Sequence, residues 1–274
     1  LSYGTVPTTF NVNGNLTVNS GGVVNVFNGT TGKTLVVSKN IVNDGVIDVS
    51  VGATTAGNLT LNGSAVQSVT GTGTFGASNV IRNLTFSNTT TATPNINWLV
   101  NNIKIANNLN LTGARINLGS NKMTFGNAAA GGTLTAPIGT GFLPGGKFSR
   151  WWTATATGTA ITAGTDPTNT TSRYPFLSAT GLNRAMYITR TNATGAVAGE
   201  LAVVYTDATT VTTGLTVVDG SYTVTDRFDG NWSVTDEGTP VSSSSYTLAI
   251  VAPNAYFAGT GNSRILFANA PLSG

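Results

Sequence analysis

Gly57-Asn58-Leu59-Thr60-Leu61-Asn62, Arg82-Asn83-Leu84-Thr85-Phe86-Ser87 and Asn107-Asn108-Leu109-Asn110-Leu111-Thr112 are three copies of one phrase. A further copy stands earlier, at Gly14-Asn15-Leu16-Thr17-Val18-Asn19. Each runs Asn, apolar, polar, apolar, polar, which is the period of a strand with one buried face. Asn58, Asn83 and Asn108 stand 25 residues apart, and a fixed period of that length marks a stacked repeat. The interval from Asn15 to Asn58 fits two shorter coils. A single strand of this kind cannot bury its apolar side, whereas copies laid above one another can. The spacing therefore predicts a parallel β-solenoid. Roughly six coils, each rising about 4.8 Å, would make a rod near 30 Å long.

Composition supports an all-β chain. Only 8% of the 274 residues are charged, and Thr, Asn, Ser and Gly carry the polarity. That mixture suits strands and tight corners and suits helices poorly. The 40% apolar content with regular alternation is enough for a core. Cysteine and histidine are both absent. The chain thus lacks a disulfide framework, the commonest general base and the commonest zinc ligand. No apolar run is long enough to span a bilayer, so no membrane span is expected. Leu1 stands where Met would, and no signal peptide is seen, which reads as a processed product of an exported chain.

The net charge of +3 is unevenly placed. Residues 1–147 hold seven cations against Asp44 and Asp48; residues 148–274 hold six arginines against eight acids. The cations of the first part are isolated. Nucleic acid would need a basic patch or stripe, so no nucleic-acid partner is expected.

The first coils read from Val23-Val24-Asn25-Val26, Leu35-Val36-Val37 and Ile41 to Val49. Asn43-Asp44-Gly45 lies between two apolar runs and could close a hairpin. Continuation of the repeat favours a coil corner instead, with Gly45 accepting positive φ. Stacked Asn side chains are expected to form amide ladders from coil to coil. Residues 126–147 are rich in Gly and Ala, and after them aromatics, Arg and acids become frequent. Strands are expected at 185–191, 200–205, 216–218, 222–225, 231–234, 246–251 and 263–267, a pattern that suggests a β-sandwich. The expected organisation is a β-solenoid over 1–147 and a β-sandwich over 148–274, with the boundary between 147 and 172.

Three further stretches add to the repeats: Asn58 to Gly71, Ile116-Asn117-Leu118-Gly119-Ser120-Asn121-Lys122-Met123-Thr124-Phe125-Gly126, and Gly141 to Arg150. Together they resemble a recurring phrase in repetitive secreted surface proteins of Bacteroidota, typically cargo of the type IX secretion system. Tyr174-Pro175-Phe176, Asn183-Arg184 and Asn231-Trp232 resemble the β-sandwich that often follows there. The resemblance implies an autotransporter-like β-helix, a location at the bacterial cell surface or outside it, and a structural or adhesive role. It brings no catalytic motif.

Candidate chemistry is sparse. β-Helix lyases and hydrolases need converging carboxylates, yet no Asp or Glu occurs between Val49 and Thr165. Asp44 and Asp48 read as corner charges. Asp219, Asp226, Asp229, Asp236 and Glu237 form a denser group, but Asp226-Arg227-Phe228-Asp229-Gly230-Asn231 matches neither the EF-hand loop nor the nonapeptide calcium repeat. No catalytic residue, metal or cofactor is expected, and the chain reads as a non-enzyme. Trp151-Trp152 is the candidate ligand platform. Adjacent strand residues face opposite ways, so one ring should be buried and the other free to stack on a sugar or fill a neighbour's pocket. A seam between the two parts is the competing role for the pair. Trp98 and Trp232 read as core. The expected partners are further copies of the chain or other surface proteins, with glycans as the alternative.

Overall fold

The computed structural model describes residues 8–26, 33–49, 57–76, 78–160, 162, 171–191, 197–238 and 245–252. These residues contain strands and no helix. The N-terminal part is a parallel β-solenoid of about five turns, slightly fewer than the spacing suggested.

Three sheets run along the rod. The long sheet stacks Thr9–Val12, Thr34–Val37, Asn58–Leu61, Val80–Phe86, Ile103–Asn110, Lys122–Phe125 and Lys147–Trp152 in parallel. A second sheet has six strands, from Leu16–Val18 to Gly141–Phe142, and a third has three, starting at Val23–Asn25. Alternation decides which residues enter the core. Leu35, Leu59, Leu84, Leu109 and Leu134 stack in one inward column, and the residue before each, Thr or Asn, faces out.

Register corrects one expectation. Asn58, Asn83 and Asn108 share a column, but below them come Thr34 and Thr9. The early copy at Leu16–Val18 belongs to the second sheet, opposite Ile41–Asn43. The phrase specifies a strand with one buried face; it does not specify which side of the coil carries that strand.

The Asn43-Asp44-Gly45 segment is a corner, because Ile41–Asn43 and Val46–Asp48 lie in different sheets. Gly45 does not have positive φ. It is needed for close approach: a Cβ there would collide with the Gly22 carbonyl oxygen, and one on Gly73 would collide with that of Gly45. Buried amides satisfy the polar backbone of other corners. Gln67 donates to Val37 O (3.0 Å) and Lys39 O (2.8 Å) and accepts from Gly63 N (2.7 Å). Asn95 donates to Gly113 O (2.6 Å) and accepts from Arg115 N (2.7 Å).

The rod does not end in a separate body. Lys147–Trp152 pairs in parallel with Lys122–Phe125 on one side and antiparallel with Gly199–Thr206 on the other. Asn231–Glu237 follows, also antiparallel. The 147/148 boundary therefore falls within a strand that both parts share. Arg173–Tyr174, Met186–Thr191 and Ser245–Ile250 form another antiparallel sheet. Its Tyr174, Met186 and Ile188 join the same hydrophobic core as the solenoid. The structure does not confirm a β-sandwich: beyond the shared strand, the described residues form this extension of the rod's own sheet, the packed three-stranded sheet, and a short hairpin nested inside a second two-stranded pair. Six of the seven strands expected after residue 147 are present, five within about one residue of their expected bounds and the one at 231–234 running on to Glu237. The one at 263–267 lies outside the described residues.

Candidate functional site

Lys147–Trp152 positions the candidate residues by turning its two tryptophans to opposite faces. Trp152 points inward and is 2% exposed. Its Nε1 donates to the Tyr174 hydroxyl at 3.0 Å, and the Arg190 guanidinium lies 5.8 Å from its ring centre. Trp152 is thus part of the seam between rod and C-terminal region, and it could not stack on a ligand without opening the core. Arg150 points the same way. It donates to the Arg173 carbonyl at 2.7 Å and lies 5.4 Å from the Phe125 ring centre. Burial lowers the Arg150 guanidinium to about 10 and raises the Tyr174 phenol to about 12.

Trp151 faces outward and is half-buried. Lys104 Nζ lies 5.9 Å from its ring centre. In register with it across the sheet stand Glu200 and then Glu237. Around this row, Lys122 Nζ bonds Glu200 at 3.0 Å and Glu237 at 3.4 Å. Lys147 Nζ bonds Glu237 at 2.5 Å, and Thr124 donates to Glu200 at 3.1 Å. The bond from Lys147 and the two lysine charges, against some desolvation, hold the Glu237 carboxyl below its usual range. Burial works against charge on Lys122, but the bond and charge of Glu200 and the charge of Glu237 outweigh it and leave Lys122 raised.

Folding therefore brings two carboxylates side by side, which sequence spacing did not reveal. The signal available was the charge imbalance between the halves: lysines of the rod meet acids of the C-terminal region here. A general acid would need a raised carboxyl, and Glu237 is shifted the other way. The row can do two things: tie the last coil to the C-terminal strands, and offer an aromatic ring flanked by charged hydrogen-bonding groups.

The other acids lie elsewhere. Asp44 accepts from Thr72 N at 3.0 Å, as a corner residue. Asp229 accepts from Thr210 (2.8 Å) and Thr212 (2.6 Å), which hold its carboxyl low. Among the described residues no three acids gather. Trp98 is fully buried between Phe75 and Phe86, and Trp232 is half-buried against Tyr205. An open groove of about 520 Å³ lies between Pro94, Asn117, Leu143, Pro144 and Asp207, away from the tryptophan pair.

Compared with known proteins, the chain matches no family model, no curated protein and no solved structure.

Proposed function

We propose that this chain is a non-catalytic structural or adhesive subunit of a bacterial cell surface. The observation that carries the reading is the unbroken long sheet, which passes from Thr9–Val12 through the rod into Asn231–Glu237. Strands hydrogen-bonded in series over one core suit a stiff element that holds its far end in a fixed orientation. The acid-poor solenoid and the resemblance to secreted surface proteins support the same reading. Immunogold labelling of intact native cells, followed by negative-stain microscopy of the extracted protein, tests it. Surface label with fibres or ordered arrays is the expected result; label confined to the cell interior contradicts it.

The Trp151–Glu200–Glu237 row favours a second reading, a carbohydrate-binding surface module with Trp151 as the stacking ring. A glycan array tests that reading. Binding lost in Trp151→Ala supports it, and an array blank for the wild-type chain removes it. Release of reducing ends from any polysaccharide on the array would overturn the non-catalytic reading.

A further inference from the structure

Charge around Trp151 does not balance. Three lysines surround it on the outward face, Lys104, Lys122 and Lys147, against two carboxylates, Glu200 and Glu237. Lys122 and Lys147 engage both carboxylates. Lys104 forms no ion pair among the described residues, and its Nζ rests 5.9 Å from the centre of the Trp151 ring. Register explains the placement. Lys104 stands opposite Thr124, and Thr124 opposite Ser149, in adjacent parallel strands. Ser149 and Trp151 share the outward face, two residues apart on one strand. The short Thr124 and Ser149 side chains let the lysine reach across to the ring.

Lys104 thus approaches the ring from the rod side, whereas Glu200 lies across the other edge of the strand, on Gly199–Thr206. The rod side offers nothing to neutralise it: residues 50–165 hold Arg82, Lys104, Arg115, Lys122, Lys147 and Arg150 and no acid. Hydrogen bonding has the same sense. Trp151 Nε1 is buried and meets no acceptor among the described residues, so the two unmatched polar groups at the ring are both donors. A ligand for this ring must bring an apolar face, an acceptor and a negative charge. A pyranose bearing a carboxylate or sulfate has all three, since its C–H face stacks on an indole. A neutral sugar leaves Lys104 unmatched. A nucleic-acid strand needs a series of phosphate contacts, and the nearby Lys122 and Lys147 are already engaged.

We propose that Trp151 and Lys104 form a binding site for an acidic saccharide, with the indole under the sugar ring and the lysine on its carboxylate or sulfate. The proposal rests on the carbohydrate-binding reading above and names the ligand class of that site. On binding, the Lys104 side chain leaves the ring face for the anionic group, and the sugar takes its place over the indole. A lysine held over a partly exposed ring is a weak contact, so the exchange costs little. Glu200 and Glu237 do not oppose it, because their charges are matched by Lys122 and Lys147.

Titration calorimetry at low ionic strength tests the site with two polymer pairs, each sharing one backbone: polygalacturonate with its methyl ester, and dextran sulfate with dextran. The pair that responds tells carboxylate from sulfate. The wild-type chain should bind the charged member of at least one pair roughly tenfold more tightly than the neutral one, and added salt should shrink that preference. Lys104→Met should abolish the preference, Lys104→Arg should keep it, and Trp151→Ala should lose both polymers. Lys39→Met removes the same charge from an exposed corner and should change nothing. Equal losses in Lys39→Met and Lys104→Met make net charge the cause and overturn the site. Binding of both members without preference also overturns it, yet leaves the carbohydrate reading standing. Binding of neither pair overturns it too, while the glycan array judges that broader reading separately.

Discussion

The solenoid and the C-terminal region share one core and one sheet, yet they are built on opposite principles. Each coil of the solenoid repeats the contacts of its neighbours. Leucine stacks on leucine, and Asn107 donates to Asn83 (3.1 Å), Asn83 to Asn58 (2.7 Å) and Asn58 to Thr34 (3.0 Å). The C-terminal region depends on contacts that occur once. Arg150, Arg173 and Arg190 are buried within it, donating to carbonyl groups of Arg173, Ala136, Ala156 and Thr153. Repetition makes stability a sum over similar interfaces. The single contacts make the C-terminal region depend on the coil it rests upon.

Substitutions should sharpen that contrast. The largest loss should come from Trp98→Ala, which empties a fully buried site between two phenylalanines. About 3–5 kcal/mol is expected from denaturant unfolding, and because the core is shared, signals from both regions should shift together. Trp232→Ala, at a half-buried position, should cost less, and equal costs would break the contrast. Gly73→Val comes next. Its Cβ meets the Gly45 backbone, and about 1–3 kcal/mol should be lost through displacement of one corner. Asn83→Ala cuts the amide ladder in the middle and should cost on the order of 1 kcal/mol.

The smallest effect belongs to the charged clamp of Lys122, Lys147, Glu200 and Glu237. Its partly exposed pairs to Glu237 contribute on the order of 0–1 kcal/mol. The Glu237 carboxyl is depressed, so its contribution is present above the ordinary pKa of 4.5 and is lost as pH falls through the lower folded value. Lys122 is raised, so its contribution is present below 10.5 and is lost as pH climbs through the higher folded value. Glu237→Gln should lower neutral stability by at most about 1 kcal/mol and have no effect at pH 2, so a stability profile measured between pH 2 and 7 becomes flatter on its acid side.

The sequence revealed the repeated part and much less of the rest, for a physical reason. Parallel stacking forces similar residues into one column at a fixed interval, so Asn58, Asn83 and Asn108 betray their contact. The shared strand carries that signature on its parallel side, where Lys147 stacks on Lys122, but not on its antiparallel side. Lys147 pairs with Val204 and Trp152 with Gly199, partners far apart in sequence and unlike in kind. The strands of the C-terminal region were legible by alternation, but their attachment to the rod was not. The tryptophan pair was half legible: opposite faces follow from strand geometry, while the burial of Trp152 against Tyr174 depends on residues 22 positions away. Arg150 is a cation that alternation sends into the core beside Trp152.

Native-state hydrogen exchange reads whether the C-terminal strands are welded to the last coil. Amides of Lys147–Trp152 and Gly199–Thr206 should exchange together, as slowly as those of Val80–Phe86. Exchange of Gly199–Thr206 orders of magnitude ahead of the coils, with Lys147–Trp152 still protected, would contradict it and make the C-terminal region an independent body resting on the rod.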